Sequence, residues 1–324
     1  MKLYPHMVVP LVLVVLFWPL AALAQVYPAK PVRVVVPWPP GGANDVTARI
    51  VFQKMSEMLK EQFIIENRGG ATGTIGAAAV ARSAPDGYTL MVHSATHVAN
   101  PHLFKKLPYD TINDFIGVTT LARQVGALIV HPSLPVTSMK GFIALAGKRP
   151  GEVIYGSAGS GSTLHLMMAQ LLSMTGIKVV HVPYKGGGPA VIAIVSGETQ
   201  AMYAVISDIY SHLMSKRVRP LGVTSADRLK QFPDVPAIGE TVPGYAFTSW
   251  MGAFVPAGTP KPIIDKLNAD LKRALDAPDV ASKLDTLVLL DPSRLTPGEF
   301  AQLLKSDHDR LGKLIRELGL TTID

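Results

Sequence analysis

Cysteine is absent from all 324 residues. That excludes disulfides, thiolate metal sites, a cysteine nucleophile and a lipid attached at cysteine, and it suits an oxidising compartment in which no covalent staple is needed. Long apolar runs are also missing beyond the first residues. Met7 to Leu23 is almost unbroken in hydrophobicity and ends in Ala22-Leu23-Ala24. With Lys2 ahead of it, this is the order of a secretory signal peptide. The expectation is a leader over residues 1–24, cleaved after Ala24, and a periplasmic mature chain. Pro10, Pro19 and the turn-rich Tyr27-Pro28-Ala29-Lys30-Pro31 favour that reading over a membrane anchor. The formal net charge is +7. Lys and Arg are nevertheless dispersed, and no basic stripe carries interleaved aromatics, so nucleic acid is not an expected partner.

The usual catalytic signatures are wanting as well. Gly156 to Thr163 has the glycine spacing of a phosphate-binding loop but carries Ser162 where that loop needs lysine. No serine sits in a Gly-x-Ser-x-Gly elbow. Gly70, Gly73 and Gly76 recur every three residues, unlike the dinucleotide fingerprint. His93 and His97 have the spacing of a shared metal on a helix, yet they follow directly on a strand and no acid is interleaved. Surface or capping roles fit them best, with hydrogen bonding to an anion as the functional alternative.

What is present is a repeated strand–loop–helix grammar. Val32-Arg33-Val34-Val35-Val36 reads as a strand, followed by a Pro/Gly loop and a helix that Asn44 or Asp45 can cap. Phe63 to Glu66 is a second strand, Ile75 to Arg82 a helix, and Tyr88 to Val92 a third strand. The pattern resumes near Gly126. Strands are expected at 127–130, 153–156, 178–182, 200–205 and 219–223, with helices at 139–146 and from about Ser162 to Met174. Trp250 to Val255 is a late strand, and helices follow from Pro262, Val280 and Pro297. Alternating strands and helices imply an α/β fold with mainly parallel sheets, here two in succession and hence two lobes.

In such sheets ligands sit beyond the carboxyl ends of the strands. Four loops there are rich in Gly, Ser, Thr or Pro, at 37–45, 93–97, 157–163 and 184–189. Glycine admits close backbone approach, and helix N-termini offer unpaired N–H groups and a positive dipole end that suit a carboxylate or phosphate. Any one loop alone is an ordinary turn; four together make an anion cleft. Trp38 could wall that cleft or pack beneath it.

With those residues in view, the chain resembles the Bug family, the solute-binding proteins of tripartite tricarboxylate transporters. The likeness runs from Tyr27 to about Gly319. It is carried by Val36-Pro37-Trp38-Pro39-Pro40-Gly41-Gly42 with Asp45, Glu66-Asn67-Arg68, Ala84-Pro85-Asp86-Gly87-Tyr88-Thr89-Leu90, Leu107-Pro108-Tyr109-Asp110, His181-Val182-Pro183-Tyr184-Lys185-Gly186 and Val255-Pro256-Ala257-Gly258-Thr259-Pro260. The resemblance implies a two-lobed clamp that closes on a small organic carboxylate and passes it to the small and large integral subunits of a membrane transporter. It implies no cofactor, no metal and no catalysis. The lobes would be residues 26–122 with 226–324, and 123–225, hinged near 121–125 and 224–250.

The carboxylate would be held largely by backbone N–H groups, hydroxyls and water. The implied ligand-binding positions are Trp38, Pro40, Gly41, Gly42, Asn44 and Asp45; His93, Ser94 and Thr96; Ser157, Ala158, Gly159, Ser160, Gly161, Ser162 and Thr163; and Tyr184, Lys185, Gly186 and Ala204. Three departures from the family pattern bear on the ligand. Ala43-Asn44 replaces glycine and threonine, His93 and His97 flank the second loop, and Ala204-Val205 stands where relatives often carry Asp-Asn. Loss of that acid argues against amino acids and for an acid with an apolar body, aromatic or dicarboxylic. The alternatives are an exported enzyme acting on a small acid, and a ligand carrier for a sensor system.

Overall fold

Val32, Val34, Val35 and Val36 are fully buried, as a run of β-branched side chains covered on both faces must be. They form β1 (Val32–Val36) in the computed structural model, which describes residues 27–290 and 293–320. The leader expected at residues 1–24 lies outside the described residues. Next come α1 (Ala43–Leu59), β2 (Phe63–Asn67), α2 (Thr74–Ala81), β3 (Thr89–Ser94), the single turn α3 (Thr96–Ala99) and β4 (Phe115–Val130). Then follow α4 (Met139–Lys148), β5 (Ile154–Ser157), α5 (Thr163–Thr175), β6 (Val180–Pro183), α6 (Gly187–Ser196), β7 (Ala201–Val205), α7 (Ile206–Met214) and β8 (Arg219–Val223). The chain ends with β9 (Thr248–Pro256), α8 (Lys261–Asp276), α9 (Pro278–Thr286), β10 (Leu289–Leu290) and α10 (Pro297–Glu317).

The fold is α/β, as expected, and its parallel pairs lie at the two ends of the strand order: β2, β1 and β3 at one end, β7, β5 and β6 at the other. Between them run two long antiparallel strands. β9 inserts between β3 and β4, and β4 pairs with β9 along its first part and with β7 and β8 from Gly126 onward. Strand–helix alternation cannot reveal this, because β9 returns after an irregular stretch rather than a crossover helix. β4 therefore starts at Phe115, twelve residues before the strand that the apolar run 127–130 suggests. Phe300 of α10 packs on these strands. A Cβ at Gly117 would stand 2.5 Å from its ring, so the glycine is what lets helix and sheet meet.

Three local readings change. Gly42, not Asn44 or Asp45, is the N-cap of α1, and Asp45 sits in the first turn. α7 follows β7 without a loop, so the stretch after Val205 is helical where no helix was expected. α9 begins at Pro278 rather than Val280, because proline suits a first helical turn. Ser138 and Ser162 cap α4 and α5 through their side chains, as their positions suggest.

Candidate functional site

The C-terminal ends of β1, β5, β6 and β7 lead into α1, α5, α6 and α7, and the first turns of these four helices converge on one cavity. Gly42, Ala43 and Asn44 come from α1, Ser162 and Thr163 from α5, Gly187 from α6 and Asp208 from α7. Ser94 and Thr96 close it from the end of β3, Gln124 from β4 and Ser249 from β9. Trp38 forms a wall; it is only 8% exposed and meets the edge of His93 at a ring distance of 5.6 Å.

Asp45 explains the shape of the first loop. Its carboxylate accepts from the Gly41 N–H at 2.9 Å, from Asn67 at 2.9 Å and from Arg49 at 3.0 Å. Asn67 also donates to the Trp38 carbonyl at 3.0 Å. Burial alone would raise the Asp45 pKa, but the hydrogen bonds from Arg49, Gly41 and Asn67 outweigh it and hold the carboxyl below its usual range. The loop is thus tied to α1 and β2, leaving the first N–H groups of α1 facing the cavity.

The two ends of the sheet touch across the cavity. The Thr96 and Thr163 hydroxyls stand 2.9 Å apart, and the Thr163 N–H donates to Thr96 Oγ1 at 3.2 Å. Thr72 Oγ1 donates to the Ser160 carbonyl at 3.1 Å. A Cβ on Gly186 would stand 2.7 Å from Pro39, and one on Gly161 would overlap Leu103. These contacts describe a closed cleft.

Polar atoms in its wall lack protein partners. Trp38 Nε1, Asn44 Oδ1, Asp208 Oδ1 and Ser249 Oγ are buried without a hydrogen bond, a state that costs free energy until a ligand or water supplies one. Among the described residues, no Lys, Arg or His lines the cavity. Helix dipoles and N–H groups therefore supply its attraction for an anion.

Of the positions expected in the site, Trp38, Gly42, Asn44, Ser94, Thr96, Ala158, Ser162 and Thr163 line this cavity. Gly159, Tyr184 and Lys185 line a neighbouring opening with Trp38 and Ala158. The others do not line the cavity. Pro40 and Gly41 are exposed, while Asp45, Ser157, Ser160, Gly161 and Gly186 shape the loops behind its wall. Ala204 is fully buried and paired with Ala127 in the sheet, so it is replaced at the cavity by Val205 and Asp208.

His93 and His97 are corrected too: both are fully buried, not on the surface. His93 Nδ1 accepts from the Ser94 N–H at 2.8 Å, and His97 packs among Tyr109, Phe115 and Phe254. Burial keeps both neutral, His97 being pushed down to about 3. Among the described residues no group of three or more His, Asp or Glu could hold a metal.

Gln124, Ser249 and Asp208 were missed. A glutamine directly ahead of the apolar stretch from Val125 to Val130 was a signal, since a buried strand holds such a group only for a reason. Asp208 had none, because α7 itself was not read.

A two-part α/β protein with helix N-termini facing an enclosed cleft is a ligand-binding clamp. The family model described as the tripartite tricarboxylate transporter family receptor matches residues 47–320, and the chain belongs to that family. It is 37% identical over 296 residues to a protein of the tcbD-tcbE intergenic region in a Pseudomonas species, covering 91% of this chain and 88% of that one. Among solved structures it resembles R. palustris Rpa4515 with adipate, at 32% identity and a TM-score of 0.89, over 92% of this chain and all (100%) of the other. It also resembles MatC from Rhodopseudomonas palustris with bound malate, at 33% identity and a TM-score of 0.85, over 89% and 100% of the two chains.

Proposed function

We propose that the protein is a periplasmic receptor that captures a small organic carboxylate between its lobes and delivers it to the integral subunits of a tripartite tricarboxylate-type transporter, without turnover. The observation that carries this reading is the convergence of four helix first turns on a cavity that no Lys, Arg or His lines among the described residues, with the Trp38 Nε1 and Ser249 Oγ donors of its wall lacking a protein partner. Adipate and malate in similar solved proteins support the ligand class. We further propose lobes of residues 26–122 with 226–324, and 123–225. The exchange of β4 partners at Val125 and Gly126 supports a crossing there. Residues 1–24 would be a cleaved leader, which the mass of the exported protein checks.

Catalysis finds little support in the site. Ser157 Oγ and His181 Nε2 are 2.7 Å apart, but Ser157 is fully buried and outside the cavity lining. Burial, and then the neighbouring His165, push His181 down to about 4, too weak a base to activate a hydroxyl at neutral pH.

The test is a thermal-shift screen of the mature protein against mono-, di- and tricarboxylates, aromatic acids and amino acids, with hits titrated calorimetrically and the mixtures assayed for product. A ligand bound only by the folded clamp adds ~2.7 kcal/mol of stability at one hundred times its dissociation constant. The reading expects one chemical class to raise the melting temperature, one site per chain and no product. A flat response to every acid, or turnover, would overturn it.

A further inference from the structure

Among the described residues, one formal charge lines the cavity, and it is negative. Asp208 stands in the first turn of α7, facing the N–H of Ala43 at the start of α1. Its Oδ2 lies 2.9 Å from where a Gly187 Cβ would be, so the carboxyl is laid against the start of α6 as well. Its Oδ1 is buried with no partner. The protein's own carboxyl thus takes one of the anion-favouring positions between the lobes. It leaves Asn44 of α1 and the Thr163 hydroxyl of α5 to receive a ligand anion, the Thr163 N–H being given to Thr96.

A second carboxylate brought beside Asp208 would meet like charge in a poorly solvated space, with no lining cation to separate the two. A hydroxyl or ammonium there would instead satisfy Oδ1. Resting on the carboxylate-capture reading above, we infer that Asp208 is the specificity-determining residue of the cleft, selecting an acid whose second polar group is a hydrogen-bond donor over one that brings a second carboxylate. This reverses the argument from Ala204-Val205 against amino acids, because the missing acid is supplied four residues after Ala204 from α7.

The other charged groups nearby are engaged or turned away. Asp45 and Arg49 of α1 pair with each other. His165 of α5 accepts from the Gly161 N–H and is kept neutral by burial. Lys185, ahead of α6, is exposed at the neighbouring opening, and His212, one turn along α7, is outside the lining. Burial pushes the Asp208 carboxyl up to about 7 against the opposing Ala43 N–H. A dicarboxylate can therefore enter only with a proton shared between the two acids.

The experiment titrates wild type and Asp208→Asn calorimetrically at pH 8. The probes are matched acids of four to six carbons and benzoates, each ending in carboxylate, hydroxyl or ammonium. Melting curves confirm that the variant folds. Wild type is expected to bind the best hydroxyl or ammonium probe at least tenfold tighter than its dicarboxylate match. Any dicarboxylate that binds wild type takes up about one proton, read from the dependence of the heat on buffer. Asp208→Asn should lose tenfold or more for the ammonium probe and gain for the dicarboxylate. The same ranking in both proteins, or dicarboxylate preference without proton uptake, overturns the role of Asp208 while leaving carboxylate capture standing. Silence from every acid overturns both.

Discussion

Asp45 and Asp208 are both acids in the first turn of a helix, yet their surroundings drive them in opposite directions. Asp45 is bound by Arg49, Gly41 and Asn67, and its folded pKa is lowered. Its contribution to stability is therefore present above the unfolded value of ~3.9 and is lost as pH falls through the lower folded value. Asp45→Asn should cost about 1–2 kcal/mol at pH 7, moderated because Arg49 is exposed, and the difference from wild type should be smaller at pH 3, below the unfolded value. Denaturant melts at the two pH values check this. Asp208 has a folded pKa raised to about 7 by burial. Stability is highest below the unfolded value and is lost as pH rises through the folded one. Asp208→Asn should thus melt increasingly above wild type from about pH 4 to pH 7 and hold a constant lead beyond. A lead that does not grow with pH would show that Asp208 is ionised and compensated in the free protein.

At the level of elements, legibility followed local physics. β1, α4 and α5 were readable because a β-branched run and serine caps act through neighbours in the chain. The loops before α1, α3 and α5 were readable as turns at strand ends for the same reason, and Trp38, Asn44, Ser94, Thr96, Ser162 and Thr163 line the cavity. β4 and β9 were only half legible. Their pairing joins residues more than a hundred positions apart, so no local pattern announces where β4 starts or that Gln124 and Ser249 reach the same space. α7 escaped because it begins directly on the last strand residue, without a turn to mark it. The joint between α3 and α5 offers a prediction of its own. Thr163→Val keeps shape but removes the hydroxyl that meets Thr96 at 2.9 Å. It should weaken the bound, closed state by about 1 kcal/mol, roughly a fivefold rise in the ligand dissociation constant, with a much smaller change in the melting temperature of the free protein. Equal losses in both measurements would place this contact in the fold rather than in closure.

For the molecule as a whole, the closed cleft needs contacts from both ends of the sheet, and it has them in Thr96–Thr163, Thr72–Ser160 and Pro39 against Gly186. A ligand favours this state to the extent that it binds it better than an open one. Leu103 meets the one atom that Gly161 lacks, and Gly161 has a φ of +79°, where a side chain is strained in any case. Gly161→Val should therefore hold the lobes apart. In small-angle scattering, wild type with a saturating acid should show a smaller radius of gyration than wild type alone. The Gly161→Val protein should stay at the larger value with acid present and bind at least tenfold more weakly. Trp38 gives a second view of the same motion, because its ring lines the cavity while Trp250 is held by Asp307 away from it. Fluorescence should respond to ligand in wild type and lose that response in Trp38→Phe. A radius that does not change with ligand, while Trp38 still responds, would mean that the acid enters by local movement of the 37–42 loop and that β4 works as a strut rather than a hinge.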